Sequence, residues 1–229
     1  MKPKNIIIIL KIVLIPLILY SALIGCAGSL PEVEVQHISK YKTFQNQNGI
    51  SIAIDPFFEG NRLNKFFGTN VLSDYDILPV HIIIENNIDQ PILILREDIL
   101  LLNANKEIIQ KPSTNPAEPV EKRKRAMETT RAVTGGWLWG SLAMRYANIA
   151  MNIRTKSFYE KIINNKGELH HGFVYFTIKD LAILDNNAKV QVMAKNINTD
   201  AITTFEFDVD MTIKGEIKRR KMEENKNKP

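Results

Sequence analysis

The chain has 229 residues, of which 45% are hydrophobic, and this is enough for one domain with a sizeable core. Its 30 Lys and Arg exceed its 25 Asp and Glu by five. Three of those lysines, Lys2, Lys4 and Lys11, lie at the very start, so the rest of the chain is close to neutral. The charge balance therefore gives no support for a nucleic-acid partner.

The first 25 residues have the composition of an export signal. Lys2 and Lys4 make the start basic, and residues 6–24 are apolar apart from Lys11, Pro16, Tyr20 and Ser21. A basic start, an apolar stretch and a small final residue are typical of a secretory signal peptide. Residues 1–25 are therefore predicted to be removed from the mature protein.

The apolar stretch ends in Leu23-Ile24-Gly25-Cys26, and Cys26 is the only cysteine of the chain. This tetrapeptide resembles the lipobox of bacterial lipoproteins. The resemblance implies cleavage between Gly25 and Cys26, a diacylglycerol on the Cys26 thiol, and often a fatty acyl chain such as palmitate on its amine. Two or three such chains hold a protein on a membrane almost permanently, because each buried methylene contributes about 0.8 kcal/mol.

The lipobox resemblance also implies a location in the cell envelope. In lipoproteins of bacteria with two membranes, Asp after the cysteine retains the protein on the inner membrane. Ala27 therefore indicates the outer membrane, on its periplasmic or surface face. The alternative is an uncleaved signal-anchor helix, since residues 6–27 are long enough to cross a bilayer.

The rest of the chain is predicted to contain three parts. Residues 26–34 are mostly small or polar and are expected to form a lipidated tether. Residues 35–213 are expected to form a single domain, without a disulfide if Cys26 carries lipid. Residues 214–229 are basic and have few apolar side chains, so they are predicted to be a flexible tail.

Apolar residues recur with period two through much of the domain, which is the spacing of half-buried strands. The segment 204–211 alternates most clearly, with Phe205, Phe207, Val209 and Met211 on one face. Residues 80–85 and 92–95 flank an Asn/Asp/Pro cluster and are expected to pair as strands joined by a short loop. Further strands are predicted at 50–55, 98–102, 173–178 and 189–194.

Seven or eight short strands separated by turn residues indicate a mainly β fold, an antiparallel β-sandwich. The succession Leu78-Pro79-Val80, Asn86-Asn87, Pro91-Ile92 and then residues 172–176 resembles immunoglobulin-like modules, including those of the late-embryogenesis-abundant type. The resemblance covers about half of the chain and consists of strand and turn residues. It therefore implies an immunoglobulin-like sandwich and carries no functional site.

Residues 117–163 interrupt the strand pattern and are predicted to be a helical insertion. A proline-rich link at 111–119 leads out of the sheet, and Pro119 suits the start of a helix. Residues 132–144 carry no charge and contain both tryptophans of the chain, Trp137 and Trp139.

Small residues recur in steps of three and four along this insertion, which places them on one face of a helix. Glycine inside a helix costs about 1 kcal/mol relative to alanine. A helix face made of small side chains, despite the cost of its glycines, is expected where another backbone approaches closely. The stripe consists of Thr129, Ala132, Gly136, Gly140, Ala143, Ala147 and Ala150.

Three interpretations of this insertion are possible. In the first, its face of small residues packs on the sandwich or on a second helix at 157–163. In the second, Trp137 and Trp139 enter the bilayer interface near the lipid anchor. In the third case, residues 129–150 bind a protein partner or a second copy of the chain. A full membrane crossing is not expected, because residues 132–144 span about 20 Å of helix against about 30 Å of hydrocarbon.

The sequence contains no motif for metal binding or catalysis. Its histidines, His37, His81, His170 and His171, lack metal-ligand spacing, and the last two are expected to form a turn before a strand. The acidic pairs at 74/76 and 97/98 are typical of loops and strand edges. No metal, cofactor or catalytic residue is predicted, and the basic runs at 122–125 and 218–221 are expected to be solvated or to meet anionic headgroups.

These observations favour a lipid-anchored, non-catalytic binding or assembly module of the cell envelope. The alternative is an envelope hydrolase or sugar-acting enzyme whose site is dispersed along the sequence. An exposed apolar patch is expected for a binding module, and a concave pocket with converging Asp, Glu or His for an enzyme.

Overall fold

A computed structural model describes residues 31–57, 59–134, 137–177 and 188–209, with the backbone alone for those between 131 and 141. The chain divides into two compact units, Met1–Pro31 and Glu32–Pro229, and the described residues after Pro31 belong to the second. The predicted signal peptide with Gly25, the predicted lipidation site Cys26, Gly136 and the tail predicted at 214–229 lie outside the described residues.

The described residues form ten strands. In chain order they are β1 (Gln45–Gln47), β2 (Ile50–Pro56), β3 (Ile77–Asn86), β4 (Ile92–Ile94), β5 (Ile99–Leu102), β6 (Ile108–Gln110), β7 (Lys161–Ile163), β8 (Glu168–Thr177), β9 (Lys189–Asn196) and β10 (Ile202–Asp208). The α-helices among the same residues are α1 (Gly60–Phe67), α2 (Val71–Asp74), α3 (Glu118–Thr134) and α4 (Trp137–Thr155).

The strands form two antiparallel sheets. Sheet 1 has the order β1-β2-β3-β8, and β3 pairs with β8 along the full length of both strands. In sheet 2, β9 pairs with β10 on one side, and on the other side with β5 and β4, which lie end to end. The outer neighbours of β5 and β4 are β6 and β7. This arrangement confirms the prediction of a mainly β sandwich with a helical insertion.

The main core lies between the two sheets. It contains inward-facing residues of β2 and β3, such as Ile52 and Ile82, and those of β9 and β10, such as Val192 and Phe205. The alternation predicted for the last strand is confirmed, because Phe205 and Phe207 are buried and Ile202 is exposed.

Sheet 1 is apolar on its outer face as well. The helices and Phe57 form a second cluster with Phe173 and Tyr175 on that face. A short N-terminal segment containing Ile38 covers Ala53 and Ile83. Burial on both faces explains the unbroken apolar run in the middle of β3, which a half-exposed strand would not need. Val33 packs against the second cluster, so the ordered body begins inside the range predicted as tether.

The expected pairing of residues 80–85 with residues 92–95 is wrong, because β3 and β4 belong to different sheets. The buried side chain of Asn86 explains the change of sheet. Its amide donates to the carbonyls of Gln90 and Ile163, and its carbonyl oxygen accepts from the Ile88 N–H. These bonds turn the chain away from sheet 1 at the end of β3 and hold it beside β7 in sheet 2.

The helical part of the insertion ends at Thr155, before the predicted end at 163. Residues 161–163 are strand β7, so the second helix expected at 157–163 is absent from the described structure. Residues 156–158 instead run along the free edge of β8. The Phe158 N–H donates to the Phe173 carbonyl at 2.7 Å, and the Phe173 N–H donates to the Lys156 carbonyl at 2.8 Å. This edge contact explains why the chain leaves the helix here.

Gly172 permits that edge contact. A Cβ atom at Gly172 would lie 3.0 Å from Cα and 3.1 Å from the backbone nitrogen of Phe158. Both atoms belong to the backbone, which cannot move away as a flexible side chain would. The close approach of the two segments therefore requires glycine at this position.

We expect Gly172→Ala to lower the free energy of unfolding by about 1–3 kcal/mol, since the added methyl group overpacks a rigid contact. Urea titration of the purified variant measures this. Gly60→Ala is the matched control, because the nearest atom to a Cβ there is 3.7 Å away on the Asn70 side chain. It should stay within about 0.5 kcal/mol of the wild type. Equal stabilities of both variants and the wild type would contradict the required close approach.

Candidate functional site

The helical insertion is a hairpin of two antiparallel helices. α3 and α4 pack against each other, and Arg154 near the end of α4 donates to the carboxylate of Glu121 near the start of α3. The end of α3 and the start of α4 therefore lie together, at the opposite end of the hairpin.

The base of the hairpin is buried on the outer face of sheet 1. Val120 of α3 and Ile149 and Ile153 of α4 lie in the same cluster as Phe173 and Tyr175. The Tyr175 hydroxyl donates to the Ile153 carbonyl at 3.1 Å. Burial raises the pKa of Tyr175, so the hydroxyl keeps its proton and this bond persists at any ordinary pH. The base is thus fixed by apolar packing and by one buried hydrogen bond.

The distal part of the hairpin is mainly exposed. Among the described side chains between positions 122 and 148, Ala143 alone is buried. Met144 and Met151 are 65% and 66% exposed, and their spacing of seven places them on one face of α4. The hairpin therefore exposes apolar side chains of α4.

The structure describes part of the predicted small-residue stripe. Ala143 is buried and Ala147 is half-buried. Gly136 lies outside the described residues, and for Trp137, Trp139 and Gly140 the helical backbone alone is described. Whether this stripe meets the sandwich, the bilayer or another protein therefore stays a prediction.

The basic run at 122–125 is largely paired with acids. Exposed ion pairs of this kind contribute about 0–1 kcal/mol each, so they keep the helix soluble more than they stabilise it. Asp74, one of the two acids at positions 74 and 76, forms one of these surface ion pairs. The pairs are Lys122–Glu118 at 2.8 Å, Arg123–Asp74 at 3.3 Å and Lys124–Glu128 at 3.6 Å.

Two histidines far apart in sequence meet on the outer face of sheet 1. In the β3–β8 register His81 lies opposite Phe173 and His171 lies opposite Ile83, so the two imidazoles are diagonal neighbours on one face. His81 Nε2 is 3.0 Å from His171 Nδ1. His170 and His171 lie inside β8, so the expected turn at this position is wrong. Only the pairing register of the strands brings His81 and His171 together.

His81 is fully buried among aromatic rings. Its ring stacks on Phe173 with 4.7 Å between centroids and meets Phe57 edge-on at 6.2 Å. Burial, together with the nearby charges of His171 and Arg62, lowers the pKa of His81 to about 3. Its Nδ1 atom is buried without a hydrogen-bond partner among the described residues, so an added proton on that nitrogen would be unsatisfied. His81 is therefore neutral in the folded protein.

Arg62 closes the edge of this aromatic group. Its guanidinium stacks on the Phe57 ring at 3.6 Å from the centroid and pairs with the Asp55 carboxylate at 2.6 Å. Lys156 donates to the Phe66 carbonyl at 2.6 Å, and its ammonium lies 5.8 Å from the centroid of the Phe67 ring. Burial lowers the pKa of Lys156. The Arg62 charge near His81 thus adds to the cost of protonating it.

The described ranges contain no group of three or more His, Cys, Asp or Glu side chains arranged to hold a metal ion. Within the same part of the chain, no helix is both long enough and apolar enough to cross a membrane. The second acidic pair, Glu97 and Asp98, lies in a single turn of 3₁₀ helix before β5.

A small cavity lies where the chain enters the hairpin. It has a volume of about 60 Å³ and is bounded by residues 113–116, by residues 154 and 157–159 after α4, by the middle of β8, and by Arg96. The sequence contained no signal for it, because its walls come from four separate parts of the chain.

Comparison of the chain with protein-family models and with curated proteins finds no match.

We expect the stability of the protein to decrease as the pH falls from 7 to 5. The pKa of His81 is lowered in the folded state, so the unfolded chain binds its proton first, near the ordinary histidine value of about 6.5. Below that value the free energy of unfolding falls by about 1.4 kcal/mol per pH unit for each such group. Urea unfolding at several pH values measures the slope. His171, whose pKa is also lowered, adds to it.

His81→Phe should reduce this slope by about one proton, since phenylalanine preserves the ring packing and does not titrate. Phe67→Leu is the control, because it weakens the same cluster and leaves both histidines in place. It should be less stable than the wild type and keep the wild-type slope. An unchanged slope in His81→Phe would show that His81 is not the group responsible.

Proposed function

We propose that the protein is a lipid-anchored binding or assembly module of the bacterial cell envelope, and that it does not act by catalysis. The sequence Leu23-Ile24-Gly25-Cys26 carries the anchoring part of this proposal. Acyl chains on Cys26 would hold the protein on a membrane, and Ala27 favours the outer membrane where a cell has two. The sandwich would then be the stable body of the module.

The helical hairpin is the contact element in this proposal. Its base is buried in the cluster with Tyr175, whereas Met144 and Met151 are exposed. Solvent-exposed methionines on a helix are typical of surfaces that bind partners, because the thioether side chain adapts to many shapes. The uncharged segment 132–144 adds Trp137 and Trp139 at the far end of the hairpin. Residues 129–150 would thus meet a protein partner, a second copy or the bilayer interface.

Labelling of growing cells with radioactive palmitate tests the anchor. Wild-type protein should incorporate the label and fractionate with membranes, and globomycin, which blocks the lipoprotein signal peptidase, should cause the longer precursor to accumulate. Cys26→Ser should incorporate no label, because serine offers no thiol for the thioether. Mass spectrometry of the mature protein should find an acylated Cys26 at its N-terminus.

Ala27→Ser is the matched control, since it changes the same region and keeps the cysteine. It should be labelled and anchored like the wild type. If unlabelled Cys26→Ser protein still fractionated with membranes to the wild-type extent, lipid would not be the anchor. An uncleaved signal helix would then replace it.

A further inference from the structure

The cavity beside the hairpin base is lined by cations and hydroxyl groups. Arg96 reaches it from the end of β4, and Arg154 from the end of α4. Ser113, Thr114 and Ser157 contribute hydroxyl groups to the same walls. None of the described residues that line the cavity is Asp or Glu. Its lining is therefore positively charged. The Ser157 hydroxyl already donates to the Ile153 carbonyl at 2.8 Å, so the hydroxyls of Ser113 and Thr114 are the ones suited to donate to an anion.

Arg96 is the cation without a partner in this lining. Its side chain is half-buried and makes no ion pair or hydrogen bond with any described residue. A partly buried guanidinium of this kind is more costly to leave unpaired than an exposed one, because burial removes part of its hydration. An anion in the cavity would supply the missing partner.

Arg154 uses only part of its hydrogen-bonding capacity within the protein. One terminal nitrogen, Nη2, donates to the Glu121 carboxylate. A guanidinium has five N–H donors, so the others are available to a ligand. Glu121 competes with an anion for this arginine, and the Arg154 side chain is half exposed, so Arg96 carries more of the expected affinity.

The start of α3 adds little to this site. A helix N-terminus favours anions, and Asn115 accepts the first N–H bond from Glu118 at 3.2 Å. The carboxylates of Glu118 and Glu121 lie in the first turn, however, and they offset the dipole. The two arginines and the hydroxyls therefore determine what the cavity binds.

We propose that this cavity binds a phosphate group, either as inorganic phosphate or as the phosphate of a monoester. Two guanidinium groups match the double negative charge and the several oxygen atoms of phosphate better than the single charge of a carboxylate. A volume of about 60 Å³ admits little more than the anion, so the organic part of a monoester would remain outside. This proposal goes beyond the anchoring role and does not depend on acylation of Cys26.

Isothermal titration of the full chain in detergent with inorganic phosphate, at constant ionic strength, tests the site. Arg96→Gln should weaken binding about tenfold or more, since it removes hydrogen bonds from a charged donor. Glu121→Gln should strengthen binding by up to about fivefold, because it releases Arg154 from a competing carboxylate. Arg125→Gln, which removes an exposed arginine of α3 with no described ion-pair partner, is the control and should bind like the wild type.

Glycerol phosphate and acetate complete the experiment. Equal affinities for glycerol phosphate and inorganic phosphate would identify the phosphate group alone as the ligand. Binding of glycerol phosphate at least tenfold tighter would identify a phosphomonoester, such as a headgroup. The proposal is overturned if neither phosphate compound binds or if acetate binds as tightly. Undiminished binding by a folded Arg96→Gln, with a wild-type thermal midpoint, would overturn it as well.

Discussion

The architecture depends on the apolar outer face of sheet 1. A sandwich strand ordinarily buries one face and exposes the other, whereas Phe173 and Tyr175 on β8 are buried on the side away from the main core. Ile149 and Ile153 of α4 cover them. Each such buried side chain contributes about 1.5–3 kcal/mol by removal of apolar surface from water. This packing fixes the base of the hairpin, and with it the direction in which the exposed part extends.

Covering that face imposes specific residues on it. His81 must remain neutral because it is buried, stacked on Phe173 and near the Arg62 guanidinium. At the edge of the same sheet, Gly172 lies opposite Ile82 and so faces the main core, and it must lack a side chain because the backbone of Phe158 lies beside it. The segment that runs along the edge of β8 at this point also forms walls of the cavity near Arg96. The candidate anion site is therefore a consequence of the way the hairpin is joined to the sheet.

Much of the β architecture could be predicted from local sequence patterns. Alternation around Phe205 and Phe207 defined β10 because one face of that strand is buried and the other is not. Helix α1 was not predicted, because its apolar residues, Leu63, Phe66 and Phe67, are few and lie between strands. The switch between sheets at Asn86 was also not predictable, since an asparagine before a turn is common in hairpins too. The side-chain bond to the distant Ile163 carbonyl distinguishes the two cases.

The candidate sites were harder to predict because they are assembled from distant residues. His81 and His171 meet through strand register, and Arg96 and Arg154 line one cavity because the chain returns to β8 after α4. No spacing rule along the sequence detects such pairs. The proposed lipid anchor differs in this respect, because the lipobox that it rests on is a short linear motif. This explains why Cys26 stood out in the sequence while the cavity did not.

Native-state hydrogen exchange along the hairpin measures how firmly the outer face of sheet 1 holds the hairpin base. If the outer face of sheet 1 fixes the hairpin base, the amides of residues 149–153 should exchange as slowly as those of β3 and β8, through global unfolding. The amides of residues 124–130 should exchange at least about tenfold faster, because their helix is held by little tertiary packing. Uniform protection along both helices would contradict this account, since it would mean that the hairpin is packed along its whole length. Rapid exchange at residues 149–153 would contradict it equally, because the base would then not be fixed.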